Sequence, residues 1–209
     1  MKLRSGFAIF VLLMIFTTAQ ASATIFPLLA DEEAALRSLY SATDGANWNN
    51  NTNWLDDNPC HWHGVICTYK LDNDGHTVAQ VKRLSLNLNN MIGTLPAAIF
   101  SLSRLEALDL SNNTLDGEIP ESIGQLSQLS ILVLATNRLT GHLPDSIGGL
   151  SALLYLNVAG NQLTGAIPDS IGDLNALIRL YLSSNDFDGP IPASLGNLTK
   201  LIHLDLSVN

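Results

Sequence analysis

The sequence predicts an α/β-type solenoid: a right-handed superhelix with a parallel sheet on its concave face, mostly 3-10 or irregular turns on its convex side, and an N-terminal helical cap. Three observations carry that prediction. Leu84, Leu108, Leu132, Leu156, Leu180 and Leu204 recur at an unbroken interval of 24 residues. A period-2 alternation surrounds each of them, as in Ala107-Leu108-Asp109-Leu110-Ser111, the pattern of a strand with one buried face. Asparagine, glycine and proline return at fixed offsets from each strand.

The chain opens with Lys2 and Arg4, an apolar run at 7–16, and Ala21-Ser22-Ala23, a small-x-small cleavage site. Residues 1–23 therefore read as a secretory leader and Thr24 as the mature start. The run is well short of the ~20 residues that span a bilayer. No second run follows, so the mature chain as given is not expected to be membrane-inserted.

Without Lys2 and Arg4, eight basic residues face 19 acidic ones. Phosphate binding needs clustered Lys and Arg, so nucleic acid is excluded as a partner. The acidity otherwise serves solubility, with steering toward a basic partner as the weaker reading.

Residues 24–80 form the expected capping domain. A helix is predicted over 31–40, with Asp31, Glu32 and Glu33 at its positive end and Ala35, Leu36 and Leu39 as its apolar stripe. Trp48 and Trp54 follow, then Pro59-Cys60-His61-Trp62-His63-Gly64-Val65-Ile66-Cys67. Strands are predicted at 65–69 and 77–81, joined across Asp72-Asn73-Asp74-Gly75, where Asp-Gly favours a tight reversal. Cys60 and Cys67 lie close together in an exported chain, where disulfides persist, so a bond between them is expected. Closing so short a loop stabilises the fold by roughly 2 to 2.5 kcal/mol on the chain-entropy account.

Residues 81–209 hold five 24-residue repeats and a partial sixth. Asn89, Asn113, Asn137, Asn161, Asn185 and Asn209 form an asparagine ladder, each five positions after a strand leucine. A buried amide there satisfies backbone groups exposed as the chain leaves the strand. Gly93, Gly117, Gly141, Gly165 and Gly189 permit a tight backbone. Pro96, Pro120, Pro144, Pro168 and Pro192 fix φ and prevent a long convex helix. One coil cannot bury its own leucines, so stability comes from stacking.

The spacing and the Gly-x-Ile/Leu-Pro element closely resemble plant-type leucine-rich repeats, the class found in receptor-kinase ectodomains and polygalacturonase-inhibiting proteins. The segment ending in Pro-Cys-x-Trp-x-Gly-Val-x-Cys resembles the N-terminal cap that precedes such repeats. Its 39–48 stretch also resembles caps of bacterial and algal proteins, so the source is left open. The resemblance implies a disulfide-bearing cap and a binding rather than a catalytic function.

Sharper readings are weaker. Cys60, His61, His63 and Cys67 form a zinc ligand set in type, but export and the cap resemblance favour the disulfide. Asp72-Asn73-Asp74-Gly75 lacks the later glutamate of a calcium loop, which leaves a hairpin turn. No nucleophile stands beside a base and no carboxylates pair at a cleft, so no catalytic residue, metal or cofactor is expected. Asn50, Asn112 and Asn197 begin sequons, glycosylation sites in a eukaryotic secretory pathway.

Side chains flanking the strand leucines give outward ladders. The first is Arg83, Ala107, Ile131, Tyr155, Arg179, His203, and the second is Ser85, Asp109, Val133, Asn157, Tyr181, Asp205. A third, Asn87 through Ser207, is small and reads as structural. The first two change character toward the C-terminal end, so Ile131, Val133, Tyr155, Asn157, Arg179, Tyr181, His203 and Asp205 are the expected ligand-binding residues. Six strands about 4.8 Å apart and roughly 13 Å long offer on the order of 300 Å², against ~800 Å² per partner in a standard interface. That area suits a peptide or the corner of a larger protein.

Two further functions compete with this receptor-like reading: a secreted inhibitor of a polygalacturonase-type hydrolase, and a purely structural surface protein. The chain stops at Asn209 in mid-repeat, with a strand edge open and Leu204 and Leu206 uncovered. The expectation is that it continues, or that this end pairs with a second copy.

Overall fold

The computed structural model describes residues 27–209, so the expected leader at 1–23 lies outside the described residues. Helix α1 (Ala30–Ala42) carries Asp31, Glu32 and Glu33 in its first turn and buries Ala35, Leu36 and Leu39. It starts one residue before the predicted span and ends two after it. The Thr43 N–H and hydroxyl both donate to the Leu39 carbonyl, and Asp44 then turns the chain at φ 56°. Below the helix, Tyr40, Trp48, Trp54 and Trp62 pack in sequence with ring centroids 4.8–5.7 Å apart. Each indole N–H is satisfied by a backbone carbonyl, of Thr43, His63 and Asp56 respectively. Burial of these large rings supplies the cap's core without unpaired donors.

Cys60 and Cys67 are disulfide-bonded, with Cα atoms 5.6 Å apart. Both sulfurs are therefore committed to each other, which removes the thiolates a zinc site needs. Strands β1 (Val65–Leu71) and β2 (Thr77–Ser85) form an antiparallel hairpin. In its turn Asp72 Oδ1 accepts the N–H groups of Asp74 and His76. Both strands run longer than predicted. β2 does so because its last residues are already the first rung of the repeats.

The coils then follow in order: β3 (Ile92–Thr94), β4 (Ala107–Asp109), β5 (Thr114–Asp116), β6 (Ile131–Val133), β7 (Tyr155–Asn157), β8 (Thr164–Gly165), β9 (Arg179–Tyr181), β10 (Asp186–Phe187) and β11 (His203–Asp205). The main sheet has the order β1-β2-β4-β6-β7-β9-β11 and is parallel from β2 onward. β3 pairs with β5 and β8 with β10 on a second side. Leu84, Leu108, Leu132, Leu156 and Leu180 are fully buried in one column. On the third side each proline is followed by a five-residue 3-10 turn, such as Glu121–Gln125 after Pro120 and Asp145–Gly149 after Pro144.

The asparagines tie coil to coil. Asn137 Nδ2 donates to the Leu110 and Leu134 carbonyls, and its Oδ1 accepts from Leu115 N–H. Asn161 and Asn185 repeat the pattern one coil on. Asn89 differs because the cap, not a coil, precedes it: it exchanges both bonds with the backbone of Asn50. At Gly93, φ is 122° and a Cβ would press on the Ala42 carbonyl, so this glycine lets the first coil close on the helix.

Candidate functional site

The ladders named from sequence do form. Arg83, Ala107, Ile131, Tyr155, Arg179 and His203 are consecutive register partners across the sheet. The strand geometry that buries Leu156 and Leu180 aims Tyr155, Arg179 and Tyr181 outward, because neighbours along a strand point to opposite faces. Tyr155 and Tyr181 stand with ring centroids 5.6 Å apart. Among the described residues, neither an ion pair nor a hydrogen bond engages the Arg179 guanidinium.

The second ladder divides. Asn157 Oδ1 accepts the Ala159 N–H at 3.0 Å, and Asp205 Oδ1 accepts both the N–H and the hydroxyl of Ser207. The Ser207 hydroxyl, with that of Ser183, holds the Asp205 carboxyl below the usual carboxylate range. Asp109 makes the same bonds to Ser111. These oxygens brace the turn that leaves the strand, an Asx-type role. Of the residues expected to bind ligand, Ile131, Val133, Arg179, Tyr181 and His203 face outward without a side-chain hydrogen bond among the described residues, while the Tyr155 hydroxyl accepts from Asn157 Nδ2 at 3.4 Å. The third ladder is buried at Ser111, Ala135 and Ser183 and exposed at its ends, Asn87 and Ser207.

Beside the strands lies a set of residues that sequence reasoning passed over. Leu154 and Ile178 immediately precede β7 and β9 and, with Ile131, Tyr155 and Arg179, line a shallow depression of about 270 Å³. Leu154 is 42% exposed and Ile131 40%. Leu154, Ile178 and Ile202 are stacked rung on rung, since Ile178 N–H donates to the Leu154 carbonyl and Ile202 N–H to that of Ile178. Earlier coils carry Lys82, Glu106 and Ser130 in this place, and Lys82 and Glu106 pair there at 3.1 Å. The signal was available as a polar-to-apolar change at one repeat position. A second depression joins Ile66 of the hairpin to Arg83, Ala107, Asp109 and Ile131. A hollow of about 310 Å³ lies away from the sheet around Glu121, His142 and Asp145.

Of the three sequon asparagines, Asn50, Asn112 and Asn197 are all exposed. No helix among the described residues is long and apolar enough to cross a membrane.

A family profile described as "Leucine rich repeat" matches residues 79–139 and 127–187, and one described as "Leucine rich repeat N-terminal domain" matches 29–68. No curated protein matches the chain. Among solved structures, the chain is similar to the leucine-rich-repeat ectodomain of the receptor kinase SOBIR1 from Arabidopsis thaliana. The TM-score is 0.78, at 30% identity over 88% of this chain and 95% of that one. A plant ice-binding protein gives a TM-score of 0.70 at 28% identity, over 82% of this chain and 53% of that one. The Arabidopsis receptor kinase HAESA, solved in complex with the peptide hormone IDA and the co-receptor SERK1, gives 0.60 at 32% identity. That match covers 85% of this chain and 33% of the receptor.

Proposed function

This chain belongs to the leucine-rich-repeat family, and on that premise we propose that it is an extracellular recognition module binding a peptide or protein on its inner sheet. The leader at 1–23 directs export, the segment 24–80 closes one end of the solenoid, and the repeats at 81–209 present the binding ladder. The observation that carries the reading is the grouping of paired Tyr155 and Tyr181 with the uncompensated Arg179 and the open Ile131. Tyrosine and arginine are over-represented among residues that dominate binding energy, and rigid aromatic rings lose little entropy on contact. The inter-coil asparagine bonds support it by fixing the ladder before any partner arrives, which lowers the ordering cost of binding. The Cys60–Cys67 bond is consistent with an oxidising, extracellular setting. Fold alone does not choose the ligand, as the ice-binding neighbour illustrates.

The experiment is biolayer interferometry of the mature chain against secreted proteins and peptides of its source, in parallel with a Tyr155→Ala/Arg179→Ala/Tyr181→Ala variant. The expected result is a partner whose affinity falls at least tenfold in the variant. Partners that bind both proteins equally count against the inner sheet. A pectin-hydrolysis assay is run beside it: dose-dependent loss of polygalacturonase activity would move the reading to an inhibitor.

A further inference from the structure

We propose that the apolar edge formed by Leu154, Ile178 and Ile202, with Arg179 beside it, docks an amphipathic α-helix of the partner rather than an extended peptide. The inference rests on the recognition reading above and names the partner's chemistry.

Size is the first argument. The depression at Ile131, Leu154, Tyr155, Ile178 and Arg179 holds about 270 Å³ and is open to solvent. Small-molecule sites enclose roughly 300–1,000 Å³ and bury most of their ligand. This one takes a side chain or two of something larger.

Spacing is the second. The three edge residues are joined by backbone hydrogen bonds from one rung to the next, so they repeat at the inter-strand distance, about 4.8 Å. An extended chain laid across the rungs places same-face side chains roughly 6.6–6.8 Å apart and falls out of step after one. A helix places residues at i, i+3 or i+4, and i+7 on one stripe, each turn advancing about 5.4 Å. Over two rungs the helix is out by about 1 Å, the extended chain by almost 4 Å. Aliphatic side chains of a helix running along the solenoid axis therefore meet Leu154, Ile178 and Ile202 in turn.

Charge is the third. Earlier coils fill the same edge with Lys82 and Glu106, which neutralise each other. Arg179 has no such partner among the described residues, and His203 is its register neighbour. The helix is accordingly expected to carry a carboxylate beside its apolar stripe, facing the guanidinium.

The test is selection of binders to the mature chain from two displayed peptide libraries of equal length. One is built in a helix-favouring frame and the other carries prolines that enforce an extended backbone. The expected outcome is enrichment from the helical library, with aliphatic residues at i, i+4 and i+7 flanked by Asp or Glu. A Leu154→Asp/Ile178→Asp variant, folded by its thermal transition, then binds at least tenfold more weakly, and Arg179→Gln several-fold more weakly. Enrichment of the extended library overturns the proposal. So does self-association of the chain abolished by Leu154→Asp, which would assign the edge to a second copy. Binders insensitive to Leu154→Asp/Ile178→Asp but lost in Tyr181→Ala overturn it while leaving the recognition reading intact. Absence of any binder to either the native or the variant inner sheet overturns both.

Discussion

Replacing Asn161 with Ala isolates what the asparagine ladder contributes. Asn161 is 8% exposed, and its Nδ2 donates to the Leu134 and Val158 carbonyls while its Oδ1 accepts from the Leu139 N–H at 3.0 Å. The two carbonyls keep a partner when Asn161 is removed, because Asn137 also donates to Leu134 and Asn185 also donates to Val158. The Leu139 N–H has no second acceptor among the described residues. The cost is thus one orphaned buried donor, about 1–3 kcal/mol, plus two weakened acceptors, for an expected loss of about 2–4 kcal/mol. Asn161→Asp sharpens the test, since a carboxylate keeps the acceptor but sets negative charge against two carbonyls. It should cost more than Ala at pH 7 and recover part of the loss toward pH 4, where a protonated Asp can donate one bond. Urea unfolding of the three proteins at both pH values measures this. A loss below 0.5 kcal/mol for Asn161→Ala, or equal stability of Asn161→Asp at pH 7, refutes the reasoning.

Other predictions follow from single sites. Thr136 holds φ at 55°, where a β-branched residue is strained, while Asn112 fills the same place one coil earlier. Thr136→Asn should therefore raise stability by about 0.5–1 kcal/mol in denaturant melts, and a destabilised variant would contradict the strain argument. Buried Glu32 accepts the Val81 N–H at 2.8 Å, yet burial raises its pKa above the ordinary value. Its protonation thus favours folding most below the unfolded value of about 4.3, and this contribution is lost as pH rises through the folded value. Glu32→Gln should gain on the native protein in thermal stability between pH 4 and pH 7, and the opposite trend would reject the assignment. Replacing Cys60 and Cys67 together by Ala should cost about 2–2.5 kcal/mol in urea unfolding. Leu132→Ala, at a fully buried rung, should cost about 2–5 kcal/mol in the same assay.

Sequence periodicity exposed the solenoid because the fold is one-dimensional: each coil meets only its neighbours, so the leucines, asparagines and prolines must repeat in step. The cap was legible through resemblance, since its Pro-Cys-x-Trp-x-Gly-Val-x-Cys segment resembles the module that precedes plant-type repeats, and the disulfide through two nearby cysteines in a chain read as exported. Strand ends were less legible. β2 extends to Ser85 because the hairpin strand and the first repeat strand around Leu84, read separately in the sequence, run on as one, and its last three residues pair with β4 as the ladders require. The outward ladder was readable from strand alternation. The engagement of Asn157 and Asp205 by their own turns was not, since it depends on the backbone path after the strand. Leu154 and Ile178 were passed over because they sit outside the alternating triplet, where the chain is still entering the sheet.

The most direct test of inner-sheet recognition is a photo-crosslinking residue placed singly at Tyr181, on the sheet, and at Asp169, on the 3-10 side, in the presence of a partner obtained from the interferometry screen. The account predicts covalent capture from position 181 and none from position 169. Capture from position 169 alone would place recognition on the other side of the solenoid and contradict it.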